Sequence, residues 1–187
     1  MYGFDEIPFP VRVKHCAGEL AQRGVSALSE LFDLVGSRSV RYAQALTRNQ
    51  HDAEDALQAA FVRVALYPKG IIEAHHPWAY LLKIVRNEAL KIAQKKRAED
   101  WLAMVTEVWK EDLQFDFEAQ QLVRHALDKL PPSQSEVVVL KIWEGMTFAE
   151  IADVLGESPN TAASRYRYAL QKLSQYLQPL ATEGRYV

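Results

Sequence analysis

The chain has 187 residues, 49% of them hydrophobic, and a formal net charge of −2, which is enough apolar material for one ordinary core or two small ones. Its single cysteine, Cys16, excludes an intramolecular disulfide. No basic-then-apolar leader opens the sequence, and the longest apolar run, EVVVLKIWEG, is interrupted by Lys141 and Glu144, short of the roughly 18–20 residues needed to span a bilayer.

The expectation is therefore a soluble, cytoplasmic protein with no membrane partner. A near-neutral total excludes a uniformly basic surface but not a segregated one. From Lys83 to Arg97 there are six basic residues against one acid. From Ala98 to Gln121 there are seven acids against one lysine. From Ser158 to Gln175 the chain carries Arg165, Arg167 and Lys172 with no acid. Two basic stretches thus flank an acidic connector.

Along the chain, residues 1–24 hold Pro8, Pro10, Gly18 and Gly24 without sustained periodicity and read as an irregular extension. From Ala27, apolar residues recur at helical spacing through Leu28, Leu31, Phe32, Val35, Val40, Ala43 and Leu46, with Gly36 expected to interrupt or weaken the helix. NQHDAEDALQAAFVRVALYP then opens on polar caps and an acidic first turn, with Ala53, Leu57, Ala60, Phe61 and Val64 on one face, and ends at Pro68 and Gly70. After a loop holding His75 and His76, a helix runs from Pro77 to about Arg97. It has Leu81, Val85, Ala89 and Ile92 on one side and Lys83, Arg86, Asn87, Lys91 and Gln94 opposite. Beyond the connector, where Trp101, Leu102, Val105 and Trp109 suit a short amphipathic helix, another helix reaches Leu130. A Pro-Pro break follows, and a further helix ends at Gly145. The valines at 137–139 fit a buried strand as well, but their flanks and their helical spacing to Leu140, Ile142 and Trp143 favour a helix. The fold class is all-α, in two small domains.

The stretch TFAEIADVLGESPNTAASRYRYALQKL carries the functional signal. Thr147 and Glu150 stand three apart as a capping box, and Phe148, Ile151, Ala152 and Leu155 form an inner face. Gly156 supplies a positive φ for a tight turn, and Ser158 and Pro159 open the next helix. On that helix Ala162, Tyr166, Ala169, Leu170, Leu173 and Leu177 face inward. Asn160, Ser164, Arg167, Tyr168 and Gln171 face outward, with Arg165 on the flank and Thr161 and Lys172 completing the candidate DNA-binding set. A helix-turn-helix places such a face in the major groove, where Arg reads guanine, Asn and Gln read adenine, and flanking side chains hold phosphates. Two amphipathic helices around a glycine turn also occur in bundles that bind nothing.

Two blocks in order carry a family resemblance spanning about residues 27–177. DAEDALQAAFVRV and PWAYLLKIVRNEALKIAQKKR resemble region 2 of the extracytoplasmic-function (ECF) RNA polymerase sigma factors, including the Arg86-Asn87 pair. ALDKLPPSQSEVVVLKIWEGMTFAEIADVLGESPNTAASRYRYALQKL resembles region 4. The resemblance implies a region 2 helical bundle at 25–97 and a region 4 helix-turn-helix domain at 119–180. An acidic linker at 98–118 joins them, and a tail follows at 181–187.

It further implies that Asp52, Glu54, Asp55 and Gln58 face the β′ clamp of core RNA polymerase and that region 4 meets the β flap. Lys83, Arg86, Asn87, Lys91 and Lys95 would engage the opened −10 strand, with Asn87 at the base-contacting position, and the recognition helix would read the −35 element. Promoter DNA and core polymerase are the implied partners, and an anti-sigma factor is a further one the family admits. The acidic linker would thread toward the RNA exit channel, mimicking nascent RNA, or serve as a solvated tether. No cofactor is implied and no phosphate-cradling loop is present.

This sequence departs from the family pattern at Tyr80, where Trp is frequent, at Ala163, where a basic residue is common, and at Tyr168, where Arg is frequent; the −35 preference therefore does not carry over. Trp78, Tyr80 and Phe61 read as packing residues. Adjacent histidines without a third ligand do not make a metal site. The competing reading within transcription is a stand-alone helix-turn-helix regulator that binds duplex DNA. A hydrolase built on Cys16 and one of five histidines lacks an activating context, so no catalytic residue is assigned, and a helical scaffold is the remaining alternative.

Overall fold

The computed structural model describes residues 7–100, 126, 127 and 129–182. Among these the regular elements are all helical: α1 (Phe9–Arg23), α2 (Val25–Thr47), α3 (Gln50–Leu66), α4 (Lys69–Ile72), α5 (Pro77–Asp100), α6 (Pro132–Ile142), α7 (Phe148–Leu155) and α8 (Pro159–Thr182). The first three residues expected in the acidic linker, 98–100, belong to α5; the rest of the linker with its amphipathic segment, most of the helix expected before Leu130, and the tail beyond Thr182 lie outside the described residues.

Helix α1 corrects the expectation of an irregular extension. Pro8 caps it and Pro10 falls in its first turn, where a missing N–H costs nothing because that donor has no intrahelical acceptor. The two prolines therefore start the helix rather than break it. Val13, Cys16, Ala17 and Leu20 form its buried stripe, and it packs on α2, α4 and α5. Helix α2 likewise runs unbroken through Gly36. A Cβ there would lie 3.7 Å from Phe32 of the same helix and 4.0 Å from Leu57 of α3, ordinary contact distances, so the position tolerates glycine without requiring it. The roughly 1 kcal/mol that a mid-helix glycine costs is small beside the packing of a helix buried at Leu31, Val35, Tyr42 and Ala43.

Asn49 caps α3 by accepting a hydrogen bond from the Asp52 amide at 3.0 Å. Phe61 is buried and meets Phe32 edge-on, with ring centroids 5.0 Å apart. Short α4 buries Ile71 completely. A Cβ on its Gly70 would fall 2.1 Å from the Tyr80 hydroxyl, so glycine is what admits this ring. Tyr80 is thus a packing residue, as is Trp78, which is buried against Phe9 at 5.1 Å.

The valines at 137–139 are buried in α6 as a helix. The capping box of α7 is complete, with Thr147 accepting from the Glu150 amide and the Glu150 carboxylate accepting from the Thr147 amide. Gly156 adopts φ 70°, and Ser158 accepts from the Thr161 amide at 3.1 Å to open α8.

The two helical units share one core. Val137, Val139, Leu140, Met146, Ile151 and Val154 join the apolar cluster of α1–α5, with α7 packed on α5 and α6 on α2. A smaller cluster of Leu130, Val138 and Ala169, lined by Tyr166, Leu173 and Tyr176, seats α8 on α6. Leu170, expected to face inward, is 41% exposed. The cover on α8 lies on the side of Ala169 and Leu173, and leaves the flank that holds Leu170 open.

Candidate nucleic-acid and polymerase surfaces

The basic face of α5 forms because its apolar residues turn inward: Leu81, Val85 and Ala89 are buried, while Lys83, Asn87, Lys91 and Lys95 are exposed. Arg86 differs from its neighbours. It is half-buried and makes a two-pronged contact with Glu136 of α6, Nε to Oε1 at 2.7 Å and Nη2 to Oε2 at 3.2 Å. Burial pulls the guanidinium pKa down most strongly, and the Glu136 hydrogen bonds together with the fields of Glu136, Tyr42 and Glu157 outweigh it, for a net rise. Lys91 pairs with Glu88 at 2.9 Å, and Lys96 pairs with Asp52 at 2.7 Å.

That last contact places one expected polymerase contact elsewhere. Asp52 is only 4% exposed and turned against α5, because an acid in the first turn, next to the cap, lies on the same side as the core residues Ala53 and Ala56. Asp55 and Gln58 are exposed, and Glu54 is partly exposed with its carboxylate accepting from Gln50. These three lie together on the outer side of α3.

On α8, the outer face stands clear of the core. Asn160, Arg167, Tyr168 and Gln171 are exposed, and Thr161, Ser164 and Lys172 are partly so. The Arg167 guanidinium lies 5.6 Å from the Tyr168 ring centroid, so the two side chains present a joint planar, cationic surface of a kind that stacks on or hydrogen-bonds to bases. Arg165 is ion-paired with Glu157 at the turn, which fixes it on the flank.

Sequence reasoning missed the residues that join the two units. Glu136 also accepts from the Tyr42 hydroxyl at 2.7 Å, and both burial and that carboxylate push the Tyr42 phenol well up. Glu144 accepts from Arg38 Nε at 2.9 Å while Arg38 donates to the Trp143 carbonyl at 3.1 Å. His76 lies 3.5 Å from Glu150. The available signal was two acids flanking the apolar run from Val137 to Leu140. Cys16, for its part, is buried, and burial followed by the fields of Glu30 and Glu19 pushes its thiol up, away from a reactive thiolate. No described helix is long and apolar enough to cross a membrane.

Two family models match the chain in order, Sigma-70 region 2 over residues 31–99 and Sigma-70, region 4 over residues 120–173. The chain is 31% identical over 173 residues to the ECF RNA polymerase sigma factor SigE of Mycolicibacterium smegmatis, covering 87% of this chain and 66% of that protein. It is 32% identical over 169 residues to the RNA polymerase sigma factor CarQ of Myxococcus xanthus, covering 84% of this chain and 92% of that one. Its fold is similar to that of the sigma factor RpoE solved with the anti-sigma factor NepR from Bartonella quintana, at a TM-score of 0.69 and 22% identity, covering 80% of this chain and 96% of that one. Two region models matched in order, with relatives 31% and 32% identical over most of the chain, place it in the family of ECF RNA polymerase sigma factors.

Proposed function

We propose that this sigma factor directs core RNA polymerase to promoters through three surfaces with distinct tasks, acting in the cytoplasm by binding and not by catalysis. Lys83, Arg86, Asn87, Lys91 and Lys95 on α5 hold the opened −10 strand: the cations attract phosphates and Asn87 contacts a base. Asn160, Thr161, Ser164, Arg165, Arg167, Tyr168, Gln171 and Lys172 on α8 dock in the duplex at the −35 element. Glu54, Asp55 and Gln58 on α3 meet the β′ clamp, where their acidity suits a basic partner, and region 4 meets the β flap. Strand capture offsets lost pairing and stacking, so melting in this scheme needs no nucleotide hydrolysis. The likeness to a sigma factor solved with NepR supports an anti-sigma partner of the same kind.

The observation that carries this reading is the pairing, in one chain, of an exposed basic face on α5 with an exposed acid-free face on α8. Run-off transcription tests it. Core polymerase should gain promoter selectivity only when the chain is added, and Asn87→Ala should impair open-complex formation while leaving core association unchanged. Equal loss of both would remove Asn87 from the strand-contacting role. A chain that shifts duplex DNA without core polymerase, and confers nothing on it, would instead be a stand-alone regulator.

A further inference from the structure

Helix α8 has three tyrosines, and two of them are engaged within the fold. Tyr166 lies against Phe148, with ring centroids 5.7 Å apart, and Tyr176 lines the cluster that seats α8 on α6. Tyr168 stands outside both apolar clusters of the described residues and is 53% exposed. The arginines divide the same way. Arg165 is ion-paired with Glu157, whereas Arg167 is exposed, and no residue of α8 is acidic, so its own helix offers it no carboxylate. What Arg167 meets is the Tyr168 ring. The guanidinium carbon lies 5.6 Å from the ring centroid, inside the roughly 6 Å over which a ring quadrupole attracts a cation.

This contact orders the guanidinium without consuming its donors. A cation attracted to a ring keeps its planar fork of N–H groups free, and holding it in one place removes part of the rotamer entropy that a base contact would otherwise cost. In the major groove that fork matches O6 and N7 of guanine. The ring has a different complement. Base-pair edges there present hydrogen-bonding groups and one apolar group, the C5-methyl of thymine, so an exposed aromatic face is matched by thymine. Successive base pairs are about 3.4 Å apart along the duplex. With the guanidinium and the ring centre 5.6 Å apart, the two groups reach neighbouring pairs rather than the same one.

We propose that Arg167 and Tyr168 form one reading unit for a guanine next to a thymine in the −35 duplex. Arg167 donates to guanine O6 and N7, while Tyr168 both positions the guanidinium and covers the thymine methyl. Tyr168 thereby determines specificity through its ring and not through its hydroxyl. This deepens, and rests on, the reading of α8 as the helix that docks at the −35 element.

Holoenzyme assembled from core polymerase and the full chain, offered duplexes of random sequence, selects its own upstream element. Each thymine of that element is then replaced by uracil, which removes only the C5-methyl, and each guanine by 7-deazaguanine, which replaces N7 by C–H. One uracil substitution should weaken binding about fourfold, the worth of one methyl group withdrawn from water. A 7-deazaguanine at the adjoining position should weaken it about tenfold. Tyr168→Ala should abolish the uracil effect and reduce the 7-deazaguanine effect, Arg167→Ala should abolish the 7-deazaguanine effect, and Tyr168→Phe should keep both. Both side chains are exposed, so the variants fold, and a damaged fold would not produce losses confined to one base analogue. An upstream element in which no uracil matters, or whose sensitive thymine and guanine are not adjacent, would overturn the unit. So would a Tyr168→Phe that behaves as Tyr168→Ala, which would assign the hydroxyl to a phosphate. Selection of no upstream element, or of one indifferent to substitutions across the outer face of α8, would instead overturn the −35 reading itself.

Discussion

The two helices proposed to face DNA are built alike and presented differently. Both α5 and α8 bury one apolar stripe and turn a basic face outward. On α8 the face holds Arg167, Tyr168 and Gln171 in the open. On α5 the corresponding basic groups are drawn into contacts within the chain: Arg86 with Glu136, Lys91 with Glu88 and Lys96 with Asp52. Glu88 belongs to α5 itself, but for Arg86 and Lys96 the difference lies in what surrounds the helix. Helix α8 ends the described chain and is covered from one side only, whereas α5 lies at the junction, packed by α2, α3 and α7. The face proposed to read duplex DNA is therefore open as folded, whereas on α5 Lys83, Asn87, Lys91 and Lys95 are exposed and Arg86 is held at the junction by Glu136.

The strongest test of that contrast is whether the two units unfold as one. Leu140 of α6 is fully buried in the core cluster both share. Leu140→Ala should cost about 2–5 kcal/mol in urea denaturation. If the joint couples the domains, hydrogen exchange at α2 and α6 amides should accelerate together; acceleration confined to α6 would make them independent units. Next in size is Arg167→Ala, which should weaken discrimination at the −35 element by about 1–3 kcal/mol if the guanidinium makes a two-pronged base contact. Equal loss on specific and random duplex, read by fluorescence anisotropy, would make it a phosphate contact. Thr147→Ala removes the cap of α7 and should cost about 1 kcal/mol in thermal or urea unfolding. It should weaken duplex binding by the helix-turn-helix more than polymerase binding through α3, and an equal effect on both would point to a more general loss of structure.

Much of the second domain was legible residue by residue, because its signals are local. The capping box of Thr147 and Glu150, the left-handed Gly156, and the start at Ser158 and Pro159 each depend on neighbours within four positions. The periodic apolar stripe of α5 was legible for the same reason. What escaped was decided at long range. Asp52 reads as an exposed first-turn acid until α5 brings Lys96 to it. Pro8 and Pro10 read as breakers unless the buried stripe from Val13 to Leu20 is matched to a partner helix. Glu136 and Glu144 read as solvated interruptions of a valine-rich helix, although their partners Arg86 and Arg38 stand 50 and 106 residues away. Basic faces can be counted in a sequence; whether they are free cannot, since that depends on which acids the tertiary fold delivers.

The smallest expected effect concerns pH, at the Glu144 carboxyl. Burial pushes the Glu144 carboxyl up from its ordinary value, against the opposing pull of Arg38 and Arg41. A carboxyl that binds its proton more readily when folded than when unfolded favours the fold most when protonated. The contribution of Glu144 is therefore full below the ordinary glutamate range and is lost as pH rises through its raised folded value. Between those two values, acidification should make the chain more stable at this position, opposite to the behaviour of a carboxylate whose pairing outweighs its burial. Glu144→Gln should flatten that part of the stability profile while keeping an acceptor near Arg38, so the joint should hold in the neutral variant. A profile that instead falls on acidification through this interval, and flattens in Glu144→Gln, would mean that attraction to Arg38 and Arg41 exceeds the cost of burial.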